Sequence, residues 1–228
     1  MNQTKGSILR NCLSAAFGLF LFGTAVHLSI QVNLGASPWD VLVLGISGRT
    51  GILYGNISIV ISTVLILVDV LVLKEPIGLG TLIDAIVVGK TVDLWNALNL
   101  IPMMNGSLPV RIALLVFSYF LSGFSQYLYI RVGLAAGPRD SFQVGLGKRM
   151  PAVPIGVVNI LILAVVLVIG WLLGGPVGIN SFLAPAGLGL SQQLVFQALH
   201  FEPKKIRHQN ILHSVRILTG GRKETENL

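Results

Sequence analysis

The sequence predicts an all-α polytopic membrane protein made of two internal repeats, each with three transmembrane helices plus one short half-helix. Three observations predict it. Charged residues make up 11% of the 228, against about 25% in a soluble domain, so there is too little polar material for a hydrated shell. The runs "LSAAFGLFLFGTAVHLSI" (13–30) and "AVPIGVVNILILAVVLVIGWLL" (152–173) carry no charge except one that His27 could take, and about 20 such residues cross a bilayer core as helix. Finally, the chain matches itself at an offset of 100: Phe17/Phe117, Gly23/Gly123, Pro38/Pro138, Asp40/Asp140, Gly45/Gly145 and Arg49/Arg149 share one register. Apolar bias yields chance matches of Leu and Val, but not of Pro, Asp, Arg and Gly together.

Residues 1–10 form an N-terminus expected to be cytoplasmic, with Lys5 and Arg10. The run after them lacks a small-x-small cleavage pattern and reads as an uncleaved span. Repeat 1 covers 11–100, with helices at 12–31, 55–73 and 78–98 and a short apolar piece at 39–48. A loop at 101–110 leads to repeat 2, 111–200, with helices at 111–131, 152–173 and 178–199 and a short piece at 139–148. About ten residues make roughly 15 Å of helix, half a bilayer core, so each short piece is expected to enter and leave on one side. Each repeat then crosses an odd number of times, and the two copies are inverted. The alternative is eight spans with parallel repeats. The inverted version places Lys74, Arg131, Arg139, Lys148 and Arg149 inside, with Arg49 and Arg111 outside, which suits the positive-inside bias better.

The tail, 201–228, is basic: from residue 204 it holds six Lys or Arg and two Glu. Joined to several spans, it reads as a cytoplasmic segment meeting anionic lipid headgroups and not as a nucleic-acid binder. Ile211, Leu212, Val215 and Leu218 share one helical face, with Arg207 and Arg216 available to phosphates; the bland alternative is a solvated tail.

The candidate site lies where the repeat is most unusual. "NLGASPWDVL" (33–42) is answered by "GLAAGPRDSF" (133–142). In Ser37-Pro38-Trp39-Asp40 the spacing fits a capping box in its Asp form, with Pro at the first helical position. Gly137, Pro138, Arg139 and Asp140 repeat it with a glycine cap. Interrupted helices at matching points of two repeats also point to a central transport site, with Asp40 and Asp140 facing each other to bind or relay a cation or proton. The two readings are compatible. Asp84, Lys90 and Asp93 on 78–98 are further candidates; Lys90 and Asp93 are spaced to pair, and an unpaired charge at membrane depth is costly. Asp69 is expected near the headgroups, and His27 as a hydrogen-bonded packing residue or, less simply, a proton relay.

Other motifs fail. "GKT" (89–91) has Asp84 where a phosphate loop needs glycine. Gly51/Gly55 and Gly170/Gly174 have GxxxG spacing, better evidence of close helix packing than of a dimer. No Ser/His/Asp triad, His-x-x-x-His or cysteine cluster appears beside the lone Cys12, so neither an enzyme nor a cofactor is expected.

"LGASPWDVL" followed by "PIGLGTLIDAIVVGKTVDL" resembles the YczE/YyaS/YitT group of bacterial integral membrane proteins. Gly35, Pro38, Trp39, Asp40, Gly78, Gly80, Thr81 and Asp93 match; the second copy departs at Arg139 and Gln193. The resemblance implies a bacterial inner-membrane location, with both termini cytoplasmic by charge, and names no substrate. The function expected is a small-molecule or ion permease with its site between the two short helices. The alternative is a non-transporting regulatory, assembly or substrate-capture subunit acting with a protein partner.

Overall fold

The computed structural model describes residues 5–133 and 137–203. Among them the chain forms eight α-helices and no strand. The first four are α1 (Lys5–Gln31), α2 (Pro38–Thr50), α3 (Tyr54–Leu71) and α4 (Leu79–Leu98); the others are α5 (Leu108–Ile130), α6 (Pro138–Arg149), α7 (Ile155–Leu172) and α8 (Ile179–Ala198). The amphipathic tail expected after residue 203 lies outside the described residues.

Composition explains which helices meet lipid. Four, α1 over Leu9–Gln31, α3, α5 and α7, are long and apolar enough to cross a membrane. Their large apolar side chains point outward: Val60, Leu67, Ile160 and Trp171 are each more than half exposed. Ser58, Ser62, Ser118 and Ser122 are buried instead. This inside-out distribution suits a hydrocarbon solvent, where small polar groups gain by facing protein. The 20 residues each of α4 and α8 reach about 30 Å, but Asp84, Lys90 and Asp93 make α4 less apolar than those four, as Asn180, Gln192 and Gln193 do α8.

The short helices are longer than the sequence predicts, 13 residues in α2 and 12 in α6. That is still roughly 20 Å, short of a bilayer core of about 30 Å. Each starts on a proline at N1, where φ is already helical and no amide donor is wasted. α2 stops at Gly51, in the left-handed conformation with φ 72°.

Packing crosses between the halves. α1 pairs with α5, while α2 packs on α7 and α6 on α3. A Cβ at Gly18 would meet Leu128 and Ser125, whereas Val32 clusters with Leu115 and Tyr119. Helices α1 and α5 therefore run antiparallel. α1 and α4 run in the same sense, since Gly23 meets Val88 and Thr91 while Gln31 reaches Asn96. α5 and α8 do too: Tyr119 bonds Asn180 and Gly123 abuts Ser191. Of the GxxxG glycines, Gly55 packs on Gly89 and Gly170 on Leu42, both within the chain, while Gly51 and Gly174 face open space.

An arginine ends each short helix. Arg49 Nε donates to the Leu173 carbonyl at 2.9 Å and Nη2 to Leu172 at 2.7 Å. One hundred residues on, Arg149 Nη1 donates to the Leu73 carbonyl at 2.9 Å and Nη2 to Val72 at 2.6 Å. Each guanidinium thus satisfies carbonyls left over at the end of a helix from the other half. Arg49→Ala and Arg149→Ala are each expected to lower stability by about 1 kcal/mol, additively because they sit at separate places. Lysine should rescue poorly, having no planar fork. Unfolding of the single and double variants in detergent checks this.

Two buried polar groups stand out. Asp69 is fully buried near the end of α3, and its carboxylate oxygens have no hydrogen-bond partner among the described residues. His27 is buried too, with Asn96 and the Ile101 backbone beside its ring.

Candidate functional site

The capping box does not form. Ser37 occupies the N-cap position with extended backbone, but its side chain caps no amide, and the same holds at Gly137. Ser37 Oγ instead donates to Asp40 Oδ2 at 2.6 Å. The Tyr54 hydroxyl donates to Asp40 Oδ1 at 2.7 Å, and Arg139 Nη1 lies 3.7 Å from that oxygen. A short tether brings Tyr54 there, since α3 starts soon after α2 ends and its first turn packs back on α2. The carboxylate thus turns away from its own helix end, because a cation and two hydroxyls bind it better than one amide would.

Asp40 is almost wholly buried, and its counter-charge comes from the other half of the chain. The Arg139 guanidinium also stacks over the Trp39 ring, 5.3 Å from its centroid, so residues 39 and 139, one hundred positions apart, touch each other. The aromatic face and the carboxylate together hold the cation, whose side chain is a quarter exposed.

These groups border a cavity of about 380 Å³. The first turns of α2 and α6 reach it, supplying Asp40, Arg139 and Asp140. Gln126, Asn159 and Gln192, from α5, α7 and α8, add amides to its wall. Asp140 is exposed, and its exposed surface faces this cavity. Pro38 and Pro138 are buried, starting the two helices there. Asp84 reaches the same region from α4: its Oδ2 would lie 2.4 Å from a Cβ on residue 137.

Lys90 and Asp93 lie elsewhere. They pair at 3.6 Å, with Asp93 Oδ1 accepting the Gly55 amide at 2.8 Å and Lys90 donating to Asn56 at 2.6 Å. They tie α4 to the start of α3 and do not line the cavity. Sequence reasoning passed over Tyr54 and the three amides. An amide inside an apolar helix is costly in lipid, and that cost was the signal for Gln126 and Asn159. Tyr54 offered none, since a tyrosine near a helix start is ordinary.

Fold and site together define a membrane protein, all-helical over the described residues, with a cavity that the first turns of two short helices border and to which polar groups contribute. The chain matches DUF6198, a family of unknown function, over residues 9–192, and it belongs to that family. It is 34% identical over 173 residues to an uncharacterized protein of Haemophilus influenzae, covering 76% of this chain and 77% of that one. It is 30% identical to the uncharacterized protein YyaS of Bacillus subtilis over 170 residues, 73% of this chain and 82% of that one. With the uncharacterized membrane protein YczE of the same organism it shares 29% over 177 residues, 76% and 79% of the two chains. No solved structure matches the chain.

Proposed function

We propose that the protein is a multi-pass permease for a small molecule or ion, built from two inverted repeats, with its site in the cavity between α2 and α6. One observation carries the reading: the N-terminal turns of two short helices, related by the 100-residue offset, border the same polar cavity. Broken helices whose positive ends meet at a central site are the transporter solution to holding a polar solute at membrane depth.

Inversion is supported by the antiparallel packing of α1 and α5, which a two-fold axis lying in the membrane plane requires of equivalent helices. The contact of Trp39 with Arg139 fits the same axis, since equivalent residues touch only near it. On this reading α1, α3, α4, α5, α7 and α8 cross the membrane, and α2 and α6 are re-entrant. Lys74, Arg131, Lys148 and Arg149 gather at one end, with Arg49 and Arg111 at the other; Arg139 sits at the cavity and drops out of that balance. The positive-inside bias makes the basic end the cytoplasmic one, and on this reading both termini lie on the cytoplasmic side of the bacterial inner membrane.

Orientation is checked by labelling single cysteines in a Cys12→Ala background. Gly48 has open space around it, and Lys148 is exposed. A membrane-impermeant thiol reagent applied to whole cells is expected to modify Gly48→Cys and spare Lys148→Cys. Equal modification of both would mean parallel repeats. Transport is tested by counterflow in liposomes holding the purified protein, with Ser122→Cys reporting water access to the cavity. Stabilisation by a solute and its exchange across the bilayer are expected. A cavity closed to water from both sides, with activity appearing only beside a co-purified protein, would favour a non-transporting subunit.

A further inference from the structure

The two Pro–Asp turns are alike in sequence and opposite in surroundings. Asp40 has both oxygens engaged, by Ser37, Tyr54 and Arg139. In the second copy Ser37 is replaced by Gly137 and Tyr54 by Pro154, which removes both hydroxyl donors. A second acid stands there instead: Asp84 of α4, whose own counterpart is Ala184. A Cβ on residue 137 would sit 2.4 Å from Asp84 Oδ2 and 3.8 Å from Asp140 Oδ2, so the two carboxylates converge on one spot that glycine keeps open. The hydroxyl of Tyr129, a residue only 3% exposed, has no hydrogen-bond partner among the described residues and lies within electrostatic reach of both acids.

We infer that Asp84 and Asp140 together hold one positive charge, a proton or a monovalent metal cation, and that this pair is the coupling site of the permease, with Asp40 as the anchor of Arg139. This rests on the permease reading for the word coupling, though not for the binding. Two carboxylates that approach one point at a cavity wall repel each other, and one bound cation relieves that repulsion. The charged and titratable groups that face the pair are few: Tyr129 from α5, Arg139 from its own helix and, beyond Arg139, Asp40 and Tyr54. Arg139 is shared between Asp40 and the pair, so it is the group whose balance shifts when the cation leaves. The start of α6 adds only a partial positive charge.

A hydrophobic carbodiimide, which attacks protonated carboxyls in apolar surroundings, tests this on the purified protein in detergent, with adducts located by peptide mass spectrometry. An adduct is expected on Asp84 or Asp140 and none on Asp40, with labelling lost on going from mildly acidic to alkaline buffer. If sodium shares the site, sodium chloride at fixed pH protects where N-methylglucamine chloride does not; if the proton alone occupies it, the two salts behave alike. Asp84→Asn should move the pH at which Asp140 loses its label, and Asp84→Glu should largely retain the wild-type profile, with thermal melting confirming that each variant is folded. Equal labelling of Asp40, no adduct at any pH, or an Asp140 profile unmoved by Asp84→Asn would overturn the assignment. Absence of counterflow with this labelling pattern intact would remove the permease and leave the cation site.

Discussion

Arg139→Gln is expected to destabilise the protein by about 3–5 kcal/mol, the range for removing one partner of a buried ion pair. The loss arises at Asp40, which would remain buried with two hydroxyl donors and no counter-charge. It also removes the cation over the Trp39 ring. Asp40→Asn relieves the same imbalance from the other side, so the Asp40→Asn/Arg139→Gln double variant should be more stable than Arg139→Gln alone. A double-mutant cycle by reversible unfolding in detergent measures the coupling. Additive single effects would mean that the 3.7 Å approach contributes nothing. With no capping box formed there, what Asn keeps at position 40 is an acceptor for Tyr54.

Gly35→Ala should be the other severe change, costing about 3 kcal/mol or more from overpacking and a disfavoured backbone. Gly35 has φ +89°, and a Cβ there would stand 2.3 Å from the Gly178 nitrogen. The neighbouring atoms are backbone and cannot swing aside. This crossing sets the depth at which α2 begins: the Ala36 amide donates to the Pro176 carbonyl, the Asn180 amide to Leu34, and Ser181 Oγ to Ala36. Gly48→Ala is the contrast. It lies inside α2 with nothing within 4 Å, so alanine should stabilise by about 0.5–1 kcal/mol through helix propensity. Thermal melts of both variants decide it.

Much of the fold was legible because its determinants are local. Apolar runs of bilayer length name their own environment, and Pro38 and Pro138 mark helix starts in any context. The 100-residue register could be read because Pro, Asp, Arg and Gly rarely recur together at one offset by chance. Capping was misjudged for a related reason: spacing shows that Ser37 and Asp40 can satisfy the backbone, but not that something stronger lies within reach.

By itself, then, the sequence determined that the chain belongs in a membrane, where its helices fall, and that Asp40 and Asp140 are out of place in such company. Tertiary structure alone decided their partners. Arg139 neutralises Asp40 from another helix, Asp84 joins Asp140 from a third, and Lys90 and Asp93 are drawn off to brace α3. The reason is physical. A buried charge is stabilised by whatever lies within a few ångströms of it, and across a helical bundle those neighbours come from distant parts of the chain.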